Sequence, residues 1–254
     1  QPIKGGPSIK AGIKAGDRIL MANTDTLFGK NFTSNTIPKY LKGQPNTNVD
    51  LQVYRKTNDS LFTVTLKRGK VAIKSVDLSY MINDSIGYIK LDRFARNTYT
   101  EFKSSLDNLL EKGMTDLVLD LRGNGGGYID IANKIVDEFL EDGKLIVFTK
   151  DNKGNVDESY ATSKGTFEKG GLYILIDQNS ASASEIVAGA LQDNDRGTTI
   201  GRRSFGKGLV QEEKDLGDGS AIRLTIARYY TPTGRSIQKP YEKGKGKSYS
   251  RDLN

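Results

Sequence analysis

The residues best equipped for chemistry in this chain are a serine and a lysine. The segment SASASE, Ser180–Glu185, lies where a short apolar strand pattern, Leu172–Ile176, gives way to a helical one, Ile186–Leu191. A serine on such a turn holds its hydroxyl at the mouth of a sheet, and the following N–H, that of Ala183, points the same way. The alternating alanines leave room for a substrate backbone. Taken alone, the segment is better explained by helix capping: Ser180 or Ser182 can cap, and Glu185 completes a capping box with Ser182. The lysine is Lys207, between two glycines in GRRSFGKGLVQ, Gly201–Gln211. A lysine is a general base only when uncharged, and burial away from water favours that form. Phe205, Leu209 and Val210 suit such a site, and Gln211 is placed to orient the amine. An exposed loop lysine is the commoner fate of such a residue.

A third station is RGNGGG, Arg122–Gly127, between the apolar run LVLDL, Leu117–Leu121, and the next helical pattern. Clustered glycines let the backbone turn sharply and present N–H groups at a helix N-terminus, where anions or a developing oxyanion bind. A plain strand–helix turn needs only one or two. Tyr128 stands where a dinucleotide fingerprint requires glycine.

Composition narrows the chemistry. The chain of 254 residues has no histidine and no cysteine. That excludes a Ser-His-Asp triad, thiolate catalysis, disulfides and His- or Cys-ligated metals. A nucleophile must then be Ser, Thr, Lys, Tyr or a carboxylate, and its base a lysine, a carboxylate or a terminal amine. No metal or cofactor is expected. Net charge is +7, but the cations are spread among 31 acidic residues and are densest in the tail Lys239–Arg251. That pattern fits a solvated end better than a nucleic-acid surface. No apolar run approaches the roughly 20 residues of a membrane helix. Gly201–Lys207 matches phosphate-loop spacing, yet residue 208 is Gly where the Mg²⁺-binding hydroxyl belongs, and the following segment is a poor helix.

The elements that must position these residues fall into two regions. Residues 1–70 read as β-rich: Ile19–Met21, Val49–Tyr54 and Leu61–Leu66 are strand patterns, with a turn at Thr57–Asp59. Thr33–Leu41 predicts a short or late-starting helix because of Pro38. Residues 71–254 are α/β. Strands are expected at Ser85–Leu91, Leu117–Leu121 and Leu172–Ile176. Helices are expected to bury Phe102, Leu106, Leu109 and Leu110, then Ala132, Ile135, Val136, Phe139 and Leu140.

SASASEIVAGALQD (Ser180–Asp193), FGKG (Phe205–Gly208) with Gln211, DLRGNGGG (Asp120–Gly127) and YYTPTGRSIQ (Tyr229–Gln238) together resemble the C-terminal processing, or tail-specific, proteases. The resemblance implies a ClpP/crotonase-like ββα spiral peptidase domain. Ser182 would be its nucleophile, Lys207 its base and Gln211 the orienting partner. Ala183 and Gly126 would donate backbone N–H groups to the oxyanion. Residues 5–23, GGPSIKAGIKAGDRILMAN, resemble part of a mainly β PDZ domain whose earlier strands and carboxylate-binding loop would lie upstream of residue 1. Peptide addition beside the Thr33–Leu41 helix would involve Ile37 and Leu41, and binding is expected to be weak without that loop. The implied function is a Ser–Lys endopeptidase outside the cytoplasm, in a bacterial periplasm or cell envelope. Its substrates would be proteins with flexible C-termini, and an oligomer is compatible with the sequence. The alternative is a non-catalytic PDZ adaptor.

Overall fold

The structure, a computed structural model, describes residue 2 and residues 6–29, 36–69 and 74–240. The chain forms two compact units, Gln1–Ile73 and Lys74–Asn254. In the first, α1 (Pro7–Lys10) precedes β1 (Arg18–Ala22) and β2 (Asp25–Thr26), followed by α2 (Ile37–Leu41), β3 (Asn48–Arg55) and β4 (Ser60–Lys67). The strands form one sheet in the order β2-β1-β3-β4. Alternation in β3 turns Val49, Leu51 and Val53 inward, each at most 2% exposed, against Ala22, Leu27 and Leu66. Asp59 closes the β3–β4 turn at φ 48°, a left-handed conformation that Asp tolerates. Arg55 grips Asp17 with Nε and Nη2 at 2.8 and 2.6 Å. Those bonds, with the Lys14 N–H, hold the Asp17 carboxyl down to about 2. The helix expected from Thr33 is seen over Ile37–Leu41, with Pro38 in its first turn. Residues 33–35 of that expectation, and 241–251 of the basic tail, lie outside the described residues.

The second unit runs β5 (Val76–Met81), β6 (Ile86–Leu91), α3 (Thr98–Glu111), β7 (Asp116–Asp120), α4 (Ile129–Asp137), β8 (Leu145–Asp151), β9 (Val156–Tyr160), β10 (Gly171–Ile176), α5 (Ala183–Asp193), β11 (Thr198–Gly201), β12 (Leu209–Asp215) and β13 (Ala221–Tyr230). A five-stranded sheet has the order β11-β10-β7-β6-β5, and β6, β7, β10 and β11 are parallel. A second, antiparallel sheet has the order β12-β13-β8-β9. The helices place Phe102, Leu106, Leu109, Ala132, Ile135 and Val136 in the core as expected; Phe139 and Leu140 join them just past α4. Leu110 is half-buried. Among the described residues no helix is long and apolar enough to cross a membrane.

The parallel register decides where the site lies. Leu175 of β10 pairs with Asp120 of β7, and the Leu121 N–H continues the ladder to the Leu175 carbonyl at 2.9 Å. The two strands therefore end side by side, and the turns that follow them share one edge of the sheet. In open α/β sheets, the carboxyl ends of parallel strands are where ligands gather.

Candidate active site

The turn after β10 separates its three serines. Ser180 is fully buried; its hydroxyl donates to the Leu121 carbonyl at 2.8 Å and accepts the Asp177 N–H at 3.0 Å. Ser184 is fully buried and donates to the Asn124 carbonyl at 2.9 Å. Both hydroxyls tie the turn to the loop after β7. Ser182 between them is half-buried and makes no such bond to a carbonyl. Its backbone, at φ 57° and ψ −114°, occupies a region normally left to glycine. The serine of a nucleophile elbow is held on a sharp strand-to-helix turn of this kind. The next residue, Ala183, is the first of α5, and its N–H makes no hydrogen bond among the described residues.

Glu185 does more than cap. Its carboxylate is nearly buried, at 6% exposed. Oε2 accepts the N–H groups of Ser182 and of Lys207, each at 2.8 Å, and Oε1 accepts the Gly206 N–H at 2.6 Å. A single carboxylate oxygen thus neighbours the backbone nitrogens of both Ser182 and Lys207. The Phe205 N–H donates to the Ser180 carbonyl at 3.0 Å and holds the same segment. The sequence shows Glu185 only as the last member of a capping box; its hold on residues 206 and 207 spans too many positions for a local pattern to reveal.

Two expectations about the lysine are corrected. Lys207 is exposed, as is Phe205 at 38%, while Leu209 and Val210 are half-buried. The apolar neighbours do not bury the residue: Phe205 is itself exposed, and Leu209 and Val210 are only half-buried. Gln211 is exposed on β12, opposite Thr225, and no hydrogen bond joins it to Lys207. Lys207 is followed by a strand, so Gly201–Lys207 lacks the helix that a phosphate loop caps.

The loop after β7 is held from all sides. Asp120, 1% exposed, accepts Arg122 Nε and Nη2, the latter at 2.6 Å, and the Tyr88 hydroxyl at 2.6 Å. Burial alone would raise the Asp120 carboxyl; the bonds from Arg122 and Tyr88 outweigh it and hold it below the usual carboxylate range. The Gly123 N–H donates to Asp177 of the neighbouring turn at 3.0 Å. Gly126, at φ 93°, lies so close to the serine turn that a Cβ would stand 2.6 Å from the Ala181 carbonyl and 2.9 Å from Ser182 Cβ. Its N–H, expected to face an oxyanion, instead donates to Asn124 Oδ1 at 2.9 Å. Gly126 therefore supplies close approach, and the uncommitted N–H groups of the loop belong to Gly125 and Gly127.

In the first unit, Ile37 and Leu41 are both half-buried on α2; Leu41 packs on the small core, and its carbonyl accepts Arg68 Nε at 2.9 Å. Among the described residues no acidic group is arranged to hold a metal ion.

The chain is similar to known proteins. Residues 85–244 match the family model for peptidase family S41, and residues 1–66 match that for the PDZ domain. The chain is 40% identical over 243 residues to a carboxy-terminal-processing protease of Bartonella bacilliformis, covering 93% of this chain and 55% of that protein. It is 36% identical over 240 residues to a carboxyl-terminal-processing protease of Picosynechococcus, covering 94% of this chain and 57% of the relative. Among solved structures, a photosystem II D1 C-terminal processing protease superimposes with a TM-score of 0.62 at 32% identity, covering 93% of this chain and 64% of that one. The chain spans little more than half the length of these two curated relatives. It belongs to peptidase family S41 and carries a PDZ domain ahead of its peptidase domain.

Proposed function

We propose that the chain is a serine endopeptidase with Ser182 as nucleophile and Lys207 as general base. The observation that carries this is the Ser182 backbone at φ 57°, ψ −114° at the head of α5, with Glu185 drawing the Lys207 backbone onto the same turn. Ser182 Oγ bonds to the scissile carbonyl carbon as Lys207 Nζ takes its proton. The negative charge on the carbonyl oxygen rests on the Ala183 N–H and a glycine N–H of the loop after β7. Lys207 returns the proton to the leaving amine, and water hydrolyses the acyl-enzyme. Gln211 would orient the lysine only after a movement of β12 or of its own side chain.

Membership of the S41 family favours this over a pure PDZ adaptor. The relatives' names suggest substrates cut near their C-termini. The PDZ domain would take a C-terminal segment beside α2, against Ile37 and Leu41. An extracytoplasmic site of action and an oligomer belong to the same reading.

The test is incubation of the parent, Ser182→Ala and Lys207→Arg with an unfolded protein, and mass spectrometry of the products. The parent should cut; both variants should be inactive, since arginine does not release its proton. Cleavage by Ser182→Ala at the parent's rate would remove Ser182 from the mechanism.

A further inference from the structure

One fully buried polar residue beside the site has no part in the chemistry above. Asn124 is 0% exposed. Its Nδ2 donates to the Leu91 carbonyl at the end of β6, at 2.9 Å, and its Oδ1 accepts the Gly126 N–H at 2.9 Å. Its own N–H donates to the Leu121 carbonyl at 3.1 Å. Its carbonyl accepts two groups from the serine turn, the Ala181 N–H at 3.0 Å and the Ser184 hydroxyl at 2.9 Å. One residue is thus bonded to the ends of two strands, to the glycine loop and to both sides of Ser182.

A simple turn does not require this. Burying a carboxamide is costly unless its donor and acceptor are both satisfied, and here both are spent on fixing backbone. The backbone being fixed is the one that matters: a Cβ on Gly126 would lie 2.9 Å from Ser182 Cβ and 3.0 Å from the Ala183 nitrogen. The gap between loop and serine turn is set where an oxyanion would sit, and such a site works only if its donors are pre-placed.

We propose that Asn124 is a positioning residue that sets the spacing between the glycine loop and the Ser182–Ala183 backbone. This rests on the reading of Ser182 as nucleophile. Asn124 touches no substrate; it keeps the loop donors in register with the Ala183 N–H. Aspartate would lose the donor and set a carboxylate against the Leu91 carbonyl. Alanine would release both strand and loop.

The experiment compares the parent with Asn124→Ala, Asn124→Asp and Ser184→Ala. It measures kcat, KM, melting temperature and affinity for a peptidyl boronic acid, whose adduct on serine mimics the tetrahedral intermediate. Amide hydrogen exchange at Gly126 and Ala181 is followed by NMR. The Asn124 variants should lose about 100-fold in kcat and in boronate affinity, with KM within about threefold, because only transition-state binding is lost. Exchange at Gly126 should quicken in Asn124→Ala, which removes its acceptor, with Ala181, bonded to the backbone carbonyl of residue 124, as the neighbouring reporter. Ser184→Ala, which removes one bond, should lose about tenfold in the same direction. A lower melting temperature with kcat and boronate affinity unchanged would mean a purely structural residue and overturn the proposal. If Asn124→Ala does not fold, an unaltered Ser184→Ala overturns it equally. If the parent neither cuts nor binds the boronate, the nucleophile reading fails; unchanged Gly126 exchange in Asn124→Ala, which removes the acceptor, would then sink the positioning role as well.

Discussion

The turns after β7 and β10 occupy equivalent places at one sheet edge, yet they are built in opposite ways. The first contains three consecutive glycines, and its shape is set by side chains at its entrance and within it, Asp120 and Asn124, and by Asp177 of the neighbouring turn. The second places a non-glycine residue, Ser182, in glycine's conformational territory and holds it with the carboxylate of Glu185 on its own helix. A loop that offers only N–H groups can dispense with side chains. A turn that must present a hydroxyl cannot, so it carries backbone strain and needs an anchor within reach.

The largest effect that would sharpen this contrast is expected within the glycines themselves. Gly126→Ala would push a methyl group into the Ala181 carbonyl, at a φ of 93° that alanine resists. Activity should fall by about 100-fold or more. Gly125→Ala meets open space and should stay within about twofold. Peptide hydrolysis by the two purified variants decides it; equal losses would mean that close approach to Ser182 is not what the glycines are for.

Glu185→Gln comes next. Three N–H donors share the two carboxylate oxygens, and a carboxamide can serve them at only one. A loss of about 2–3 kcal/mol in stability and about 10- to 100-fold in kcat is expected. Thermal melts and kinetics check both, and a fully active Glu185→Gln would break the idea that the second turn is anchored from its own helix.

The smallest effect is on pH dependence. Asp120 has a folded carboxyl below its ordinary range, so its contribution is present above the unfolded value, about pH 4, and is lost as pH falls through the folded one. Asp120→Asn should cost about 1–2 kcal/mol at neutral pH, since Arg122 is half-exposed and its bond is partly screened. The gap from the parent should close in acid. Melting temperatures from neutral pH downward test this; a gap that widens in acid would reverse the sign.

Much of this was legible in the sequence for local reasons. Alternation set β3 and β4, periodicity set the buried faces of α3 and α4, and Pro38 shortened α2. Ser182 could be singled out because histidine and cysteine are absent and because of its motif neighbours, but its φ could not, since long-range bonds through Ser180, Ser184 and Glu185 impose it. The expected burial of Lys207 failed because apolar neighbours in sequence do not have to fold over the side chain between them. The Gly217-Asp218-Gly219 turn and the segment's poor helical character are legible, but the β12–β13 hairpin around that turn was missed, although Ile222, Leu224 and Ile226 alternate. The bonds of Asn124 to Leu91, Ala181 and Ser184 left no local signal, because those partners lie far along the chain.

The backbone of Ser182 has a further consequence, for selection. At φ 57° and ψ −114° a glycine would be more comfortable than the serine, so Ser182→Gly would relax the turn while removing the hydroxyl. Screened for heat resistance alone, a mutant library would therefore favour, on the proposed role of Ser182, inactive molecules at this position. On the proposed role of Ser182, selection for turnover and selection for heat resistance would pull in opposite directions at this position.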